Sequence, residues 1–546
     1  MNYFNTVKYN DNLYQIVDPM GVLVTLVIGK EKALLFDTAY GIGNLKEEID
    51  SITNKELIVI NSHGHMDHTG GNYQFDHVYI DEADYNLCKK HNNPNRRKRN
   101  LESFDRLNLK LDNFDRERYI EKTEGNLKIL DFDKLDLGNL DIEIVNLEGH
   151  TAGSIGIFIP KMNLLLASDA ICPFVWLFLE ESLPVSKYLL MLERTLKLPF
   201  DHFLVGHGAR MFEKRKMVDF YNIANTIDLE KSVKVEFDHF KDLNSYCYSL
   251  DKLYDQNGCG IVFDPNKIIG KYFDQHMHSA FSEDSQEDLS EYAKIATSKG
   301  IDYICTCEHF DYLTVVDGTS WIADYDKLID YHKSLKQIYP NLNFLLGIEV
   351  GYKRIAYDEI IKTCNKYPFD IIQLSIHDNN KWDYYFKEAF FGQEDESMEE
   401  YFDLMLEGME RLPFFDVLSH IDFGFKTIKM YDKNAEFKKW DMRIREVLTL
   451  LIKMDKAFEV NTKVQEVISK IDGDDHHIDY LLNLYKELGG KKITLSSDAH
   501  TKERYLGSFN KYKKIIYDHG FKKLSFFIKR KEYKYQLNED NLKEIE

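Results

Sequence analysis

Residues 62–71 read SHGHMDHTGG: three histidines and an aspartate within six positions, directly after the apolar run ELIVIN. A turn leaving a strand aims alternate side chains into one cavity. His63 and His65 can therefore share an ion, while Asp67 and His68 lie further round and can reach a second. Imidazole nitrogens and carboxylate oxygens suit zinc, or iron and manganese where oxygen donors dominate. Three single residues downstream each stand at the end of an apolar run: His150 in EGHTAGS, Asp169 in LLLASDA and His207 in LVGHGA. Alone, His150 or His207 reads as a hydrogen-bonded structural histidine. Behind so dense a ligand set, the three read together as the rest of a two-ion shell, with Asp169 placed to bridge.

A second cluster opens at 274–285, DQHMHSAFSEDS. His276 and His278 point the same way from a strand end. Asp284 is either a ligand or the N-cap of a helix starting at Ser285. Further strand ends supply Glu308-His309, Glu349, His377, His420, Asp498 and His500. A potential ligand at the mouth of nearly every strand of a parallel barrel is placed for chemistry rather than packing. Either the two clusters complete one site together, or the chain holds two separate metal-dependent enzymes.

The rest of the sequence sets limits. At 546 residues and about 150 residues per domain, two to four domains are expected. A net charge of −21 disfavours nucleic acid and anionic membranes as partners. The basic run at 96–99, RRKR, reads as a solvated loop, with a phosphate-gripping lid as the alternative. Seven cysteines without a Cys-x-x-Cys pattern suggest a reducing compartment, and Cys305 and Cys307 read as small buried hydrophobes. No signal peptide or apolar run of about 18 residues is visible, so a cytoplasmic protein is expected. Up to residue 268 short strands such as GVLVTLVIG and IGIFIP dominate. A helical insertion interrupts them at 86–125, helices are expected at 185–197 and 213–230, and Gly258, Gly260 and Pro265 mark turns. From 271 strand and helix alternate seven times, KYFDQHMH being the first strand. The predicted division is 1–268 and 270–546.

The first half resembles the metallo-β-lactamase fold superfamily through its His-x-His-x-Asp-His motif with His150, Asp169 and His207. The resemblance implies an αββα sandwich and a two-metal hydrolase. Its substrate is left open among thioesters, lactones and phosphodiesters, and CPFVWLFLEES after Asp169 reads either as pocket lining or as core. The second half resembles the polymerase and histidinol phosphatase (PHP) superfamily, which implies a distorted (β/α)7 barrel within an α/β chain. Carried over, His276, His278, Glu349 and Asp498 would hold one ion, and Asp284, His309 and His500 a second. Glu349 would bridge toward a third ion on His377 and His420. The spacing to Asp284 and the EVNTK stretch (459–463), with Asn461 near the site, resemble the histidinol-phosphatase branch. Gly351, where an aspartate is common, departs from the pattern. The candidate catalytic residues are Asp67, Glu349, Asp498 and His500, the last two as proton donors to the leaving alkoxide. Zinc is the expected metal, two ions in the first half and up to three in the second. A small-molecule phosphate ester and a second small molecule are the expected substrates. The competing readings are a nuclease or nucleotide phosphodiesterase acting on DNA or RNA ends, and a scaffold that keeps its metals for structure alone.

Overall fold

The computed structural model describes residues 3–107, 114–208, 210–252, 255, 257–385, 392–426 and 433–545. The chain divides into two compact units, Met1–Ile268 and Ile269–Glu546.

In the first unit, strands from Asn5–Asn10 to Leu127–Ile129 form a seven-stranded sheet in chain order. It is antiparallel up to Lys32–Phe36 and parallel beyond. A six-stranded sheet carries Asp141–Asn146, Ile155–Ile159, Leu164–Ser168 and His202–Val205 in its interior. Because successive strand residues face opposite ways, Val27 and Leu34 pack with Ile157, Leu166 and Leu204 between the sheets. Their neighbours Leu26 and Leu35 pack on the other face with Leu45 and Ile49 of the helix Leu45–Ile52. Behind the second sheet, Phe220 of the helix Arg215–Ala224 lies edge-on to Phe203 at 6.4 Å. Two sheets buried on both faces explain why these strands read as continuous apolar runs. The αββα expectation holds.

Two local readings need correction, and one alternative falls away. The basic run at 96–99 is not a loop. It lies in the helix Pro94–Asp105, where Asn93 accepts from the amides of Asn95 and Arg96 and Pro94 opens the first turn, a standard helix start. Of the 86–125 insertion, residues 108–113 lie outside those described, and the rest is largely helical, as expected. The turn region around Gly260 contains the strand Gly260–Phe263 of an additional four-stranded sheet. A Cβ on Gly260 would stand 2.4 Å from the Phe174 ring, so the glycine is there for close approach rather than for a turn. Finally, Asp284 caps no helix. The helix begins at Leu289, with Asp288 accepting from the Ser290 amide.

The second unit is a parallel ring. Tyr303–Asp311, Asn343–Gly351, Ile371–Ser375, Val417–Leu418, Ala457–Asn461 and Ile493–Ser496 pair in that order. The segment 271–278, expected as a strand, makes only a bridge, Met277 to Ala499. Asp274 draws its backbone out of the ladder by accepting from the amides of both His276 and Ser497 at 3.1 Å. That segment still closes the ring, since His278 N donates to Ala499 O and Cys307 N to Met277 O. The distorted barrel thus places His276 and His278 between its first and last full strands. Cys305 and Cys307 are fully buried, as expected.

Arg97 ties the insertion down. It is fully buried, and its guanidinium donates to the carbonyls of Lys122, Gly70 and Thr123 and to Asn92 Oδ1 at 2.8–3.1 Å. Arg97→Met should leave the buried Gly70 carbonyl and two partly buried carbonyls short of a donor and cost about 2 kcal/mol. The check is a lower urea midpoint than wild type, and an unchanged midpoint would show that the guanidinium contributes nothing.

Candidate metal centres

The strand Glu56–Ile60 runs into Asn61-Ser62, and the turn beyond it sets His63 and His65 side by side ahead of the short helix Met66–Thr69. His65 Nδ1 lies 3.1 Å from His63 Nε2 and 3.0 Å from His150 Nε2. Each ring spends its other nitrogen outward. His150 Nδ1 donates to the Trp176 carbonyl at 2.8 Å, and His65 Nε2 to Glu181 at 2.7 Å. His63 Nδ1 lies 2.9 Å from Ser62 Oγ, whose own proton goes to Asp37. With tautomers assigned by these partners, three lone pairs meet at one point, an arrangement that repels unless a cation sits among them. Burial pushes His63 well below the usual histidine range and His150 down to about 4, which keeps both rings in the neutral form that ligates.

Asp67, His68, Asp169 and His207 make a second group. His68 Nε2 lies 3.5 Å from Asp67 and 3.3 Å from Asp169, and His207 Nε2 lies 3.5 and 3.2 Å from the same two carboxylates. His68 donates its other nitrogen to Asp37 Oδ2 at 2.9 Å. His68 Nε2 and Asp169 Oδ1 are buried with no hydrogen-bond partner among the described residues. Such orphaned donor atoms, converging from two sides, fit a cation. Gly206 makes room for them, since a Cβ there would stand 2.1 Å from Asp169 Oδ1.

The structure thus brings together every predicted site residue of the first half. It adds four that the sequence reading missed. Asp37 anchors Ser62, Ser168 and His68 at once. Asp84 accepts from the amides of Gly64 and Gly153 and from Thr151, joining the two histidine loops. Glu181 orients His65, and the His91 ring stacks on His65 at 4.9 Å. A cavity of about 770 Å³ opens over these ligands, walled in part by Phe174, Trp176 and Leu179. Phe174 and Leu179 also belong to a core cluster, so both readings of CPFVWLFLEES hold.

The second centre is built around Glu349, at the end of the strand Asn343–Gly351. Its carboxylate lies 3.2 Å from His276 Nε2, 3.1 Å from His309 Nδ1, 3.2 Å from His377 Nε2 and 2.8 Å from His420 Nε2. Burial would raise this carboxyl, but the imidazoles, led by His276, hold it well below the carboxylate range. His278 Nε2 stands 3.5 Å from Glu349 and 3.4 Å from Asp498. Asp284 faces His309 and His500 at 3.4 and 2.8 Å. All nine predicted positions therefore meet in one mouth. His276 Nε2 and His278 Nε2 are buried without a well-formed hydrogen bond among the described residues, and a cation would satisfy them.

Outward partners again fix the rings: Glu459 accepts from His276 Nδ1 at 2.7 Å and Asp311 from His377 Nδ1 at 2.9 Å. Gly351 has a structural reason. A Cβ there would fall 1.8 Å from Asp311 Oδ1, so the carboxylate beside His377 comes from Asp311, two strand residues beyond His309. Glu308 points away from the mouth, accepting from Ser279 and Ser282, and burial pushes it up to about 7. Asn461 donates to Glu459 and Asp498 at 3.3 Å. Lys463, the last residue of EVNTK, lies 3.2 Å from Asp498 and 3.0 Å from His500 Nδ1.

Comparison with known proteins finds a different family in each half. Residues 17–218 match the metallo-beta-lactamase superfamily and residues 274–463 the PHP domain. The chain is 28% identical over 260 residues to the histidinol-phosphatase of Lactococcus lactis, covering 47% of this chain and 94% of that one. It is 23% identical over 170 residues to an acyl-coenzyme A thioesterase of Bos taurus, covering 27% of this chain and 57% of that one. A solved structure of the Lactococcus histidinol phosphate phosphatase, complexed with zinc, L-histidinol and phosphate, aligns at 27% identity and a TM-score of 0.44, covering 48% of this chain and 98% of that one. The chain carries a metallo-beta-lactamase domain followed by a PHP domain, and it is a metal-dependent hydrolase. Among the described residues no helix is long and apolar enough to cross a membrane.

Asp37→Asn tests the outward anchors. Without the charge that holds its N–H, His68 should bind an ion about tenfold to a hundredfold more weakly. Metal content after dialysis against a graded chelator would show the loss at one ion of the first half, and retention equal to wild type would rule the anchor out.

Proposed function

We propose that this chain is a two-centre hydrolase. Its PHP domain is a phosphoric monoester hydrolase acting on L-histidinol phosphate, releasing L-histidinol and phosphate. Its metallo-beta-lactamase domain hydrolyses a second small molecule, an ester, thioester, lactone or phosphodiester. The observation that carries the first part is Glu349, one carboxylate within 3.5 Å of five imidazoles, in a stretch aligning with nearly the whole histidinol-phosphatase of Lactococcus lactis.

Zinc is the proposed metal, with manganese or iron as alternatives. His63, His65 and His150 would hold one ion and Asp67, His68, Asp169 and His207 another. In the PHP domain His276, His278, Glu349 and Asp498, then Asp284, His309 and His500, then His377 and His420 with Glu349, would hold up to three. Bound cations supply Lewis acidity and an activated water to phosphoryl transfer. The chain's own groups do the remaining work. Glu349 would offer its single carboxylate charge to the ions held by the imidazoles around it. Asp498 receives donors from Lys463 and Asn461 and acts as an acceptor. His500 likewise presents its Nδ1 to the Lys463 ammonium, so the proton for the leaving alkoxide would come from Lys463, which borders both Asp498 and His500. We further propose that residues 1–268 and 270–546 each fold and bind metal alone, since each ligand set closes within its own half.

Two measurements bear on this reading. Glu349→Gln should lower kcat/KM for histidinol phosphate by about a hundredfold or more, while His309→Ala loses less and recovers partly in excess metal. Near-full activity in Glu349→Gln would remove the shared-carboxylate reading. DNA-end trimming that depends on Glu349, without phosphatase activity, would replace it with a nuclease. His63→Ala with His65→Ala should empty one ion site of the first half and leave histidinol phosphate turnover nearly unchanged, and an equal loss would mean the centres are coupled.

A further inference from the structure

The helix Pro94–Asp105 does more than carry Arg97 inward. Arg96 and Arg99, one turn apart, both line the cavity over the first-half ligands, as i, i+3 spacing requires. Arg97, between them, points into the domain. Neither Arg96 nor Arg99 has a carboxylate within ion-pair distance among the described residues, although six acids line the cavity, two of them the ligands Asp67 and Asp169. Glu181 is occupied by His65, Glu180 lies 3.8 Å from Lys90, and Asp242 and Asp255 pair with neither arginine. The Arg96 guanidinium is half-buried, and burial is what depresses its pKa. Glu181 and Asp67 act on Arg96 only from beyond ion-pair distance; a partly desolvated cation without a direct ion pair is costly, and that cost is recovered when an anion seats on it. The same cavity also carries an apolar wall of Phe174, Trp176, Leu179, Phe240 and Leu243.

We propose that the first-half site takes an amphipathic carboxylic ester or thioester, its anionic arm seated on Arg96 and Arg99 and its apolar acyl chain on the wall of Trp176 and Phe240. This rests on the hydrolase reading of that domain and names its substrate class. Water adds to the carbonyl carbon, the C–O or C–S bond breaks, and the products are a carboxylate, a proton and the alcohol or thiol that carries the anion. Phosphate and carboxylate arms share the chemistry that two guanidinium groups recognise.

The test uses the metal-loaded full chain and thioesters of one acyl group, octanoyl, on three thiols: N-acetylcysteamine, 3-mercaptopropionate and 4′-phosphopantetheine. Anionic thiols should be favoured over the neutral one by about tenfold in kcat/KM, chiefly through KM. The two anionic arms separate carboxylate from phosphate. Calorimetry with the uncleavable thioether S-octyl-3-mercaptopropionate reads recognition without turnover. Arg96→Gln should weaken its binding by about tenfold, and Arg96→Lys by less. Cleavage with no preference for charge, or thioether binding indifferent to Arg96→Gln, overturns the proposal while leaving the hydrolase reading intact. Binding that depends on Arg96, with no thioester cleaved, keeps the anion seat but overturns the thioester substrate class.

Discussion

Both centres depend on one constraint: a buried imidazole can present a lone pair inward only if its other nitrogen donates outward. Asp37, Glu181 and the Trp176 carbonyl meet that need in the first half, Glu459 and Asp311 in the second. Each acceptor fixes a tautomer and a ring plane together. Without them the histidines would face one another through N–H groups and no donor set would form. The surrounding architecture serves this arrangement. Asp84 knits two loops so that His65 and His150 stay within 3.0 Å, and Asp274 bends the chain at His276 to close the ring.

Most of the ligands were legible in the sequence because they follow apolar runs, and strand ends in sandwiches and parallel barrels gather at one mouth. The acceptors behind them were not. Asp311 sits 66 positions from His377, and Glu459 sits 183 from His276, so no local pattern links donor to acceptor. Asp37 and Asp311 do leave a trace, an acid ending a strand that otherwise reads as core. Gly351 shows the same limit from the other side. As a sequence feature it is a missing aspartate. In space it is the vacancy that Asp311 needs.

The insertion tells a similar story about period. A run of four basic residues looks like a solvated stretch when counted as charge. On a helix the four point in different directions, and Asn93-Pro94 was the available sign that a helix starts there. Once it does, Arg97 is committed to backbone carbonyls inside the domain, while its neighbours one residue back and two ahead are left at the cavity.

Backbone conformation adds an independent sign that these sites are held rather than relaxed. Asp37, Ser168 and Asp498 take positive φ values of 74°, 47° and 49°, a region that costs a side-chain-bearing residue on the order of 1 kcal/mol. All three stand at strand exits beside ligands, and each is over-determined by contacts. Asp37 accepts from the Ser62 amide and hydroxyl, Ser168 and His68. Ser168 meets Asp37 and Ser62, and Asp498 meets Lys463 and Asn461. A sharp left-handed exit turns the chain within one residue, so that Asp169 and Asp498 reach the mouth instead of continuing along their strands. The strain is the local cost of placing a carboxylate where an extended strand would not put one.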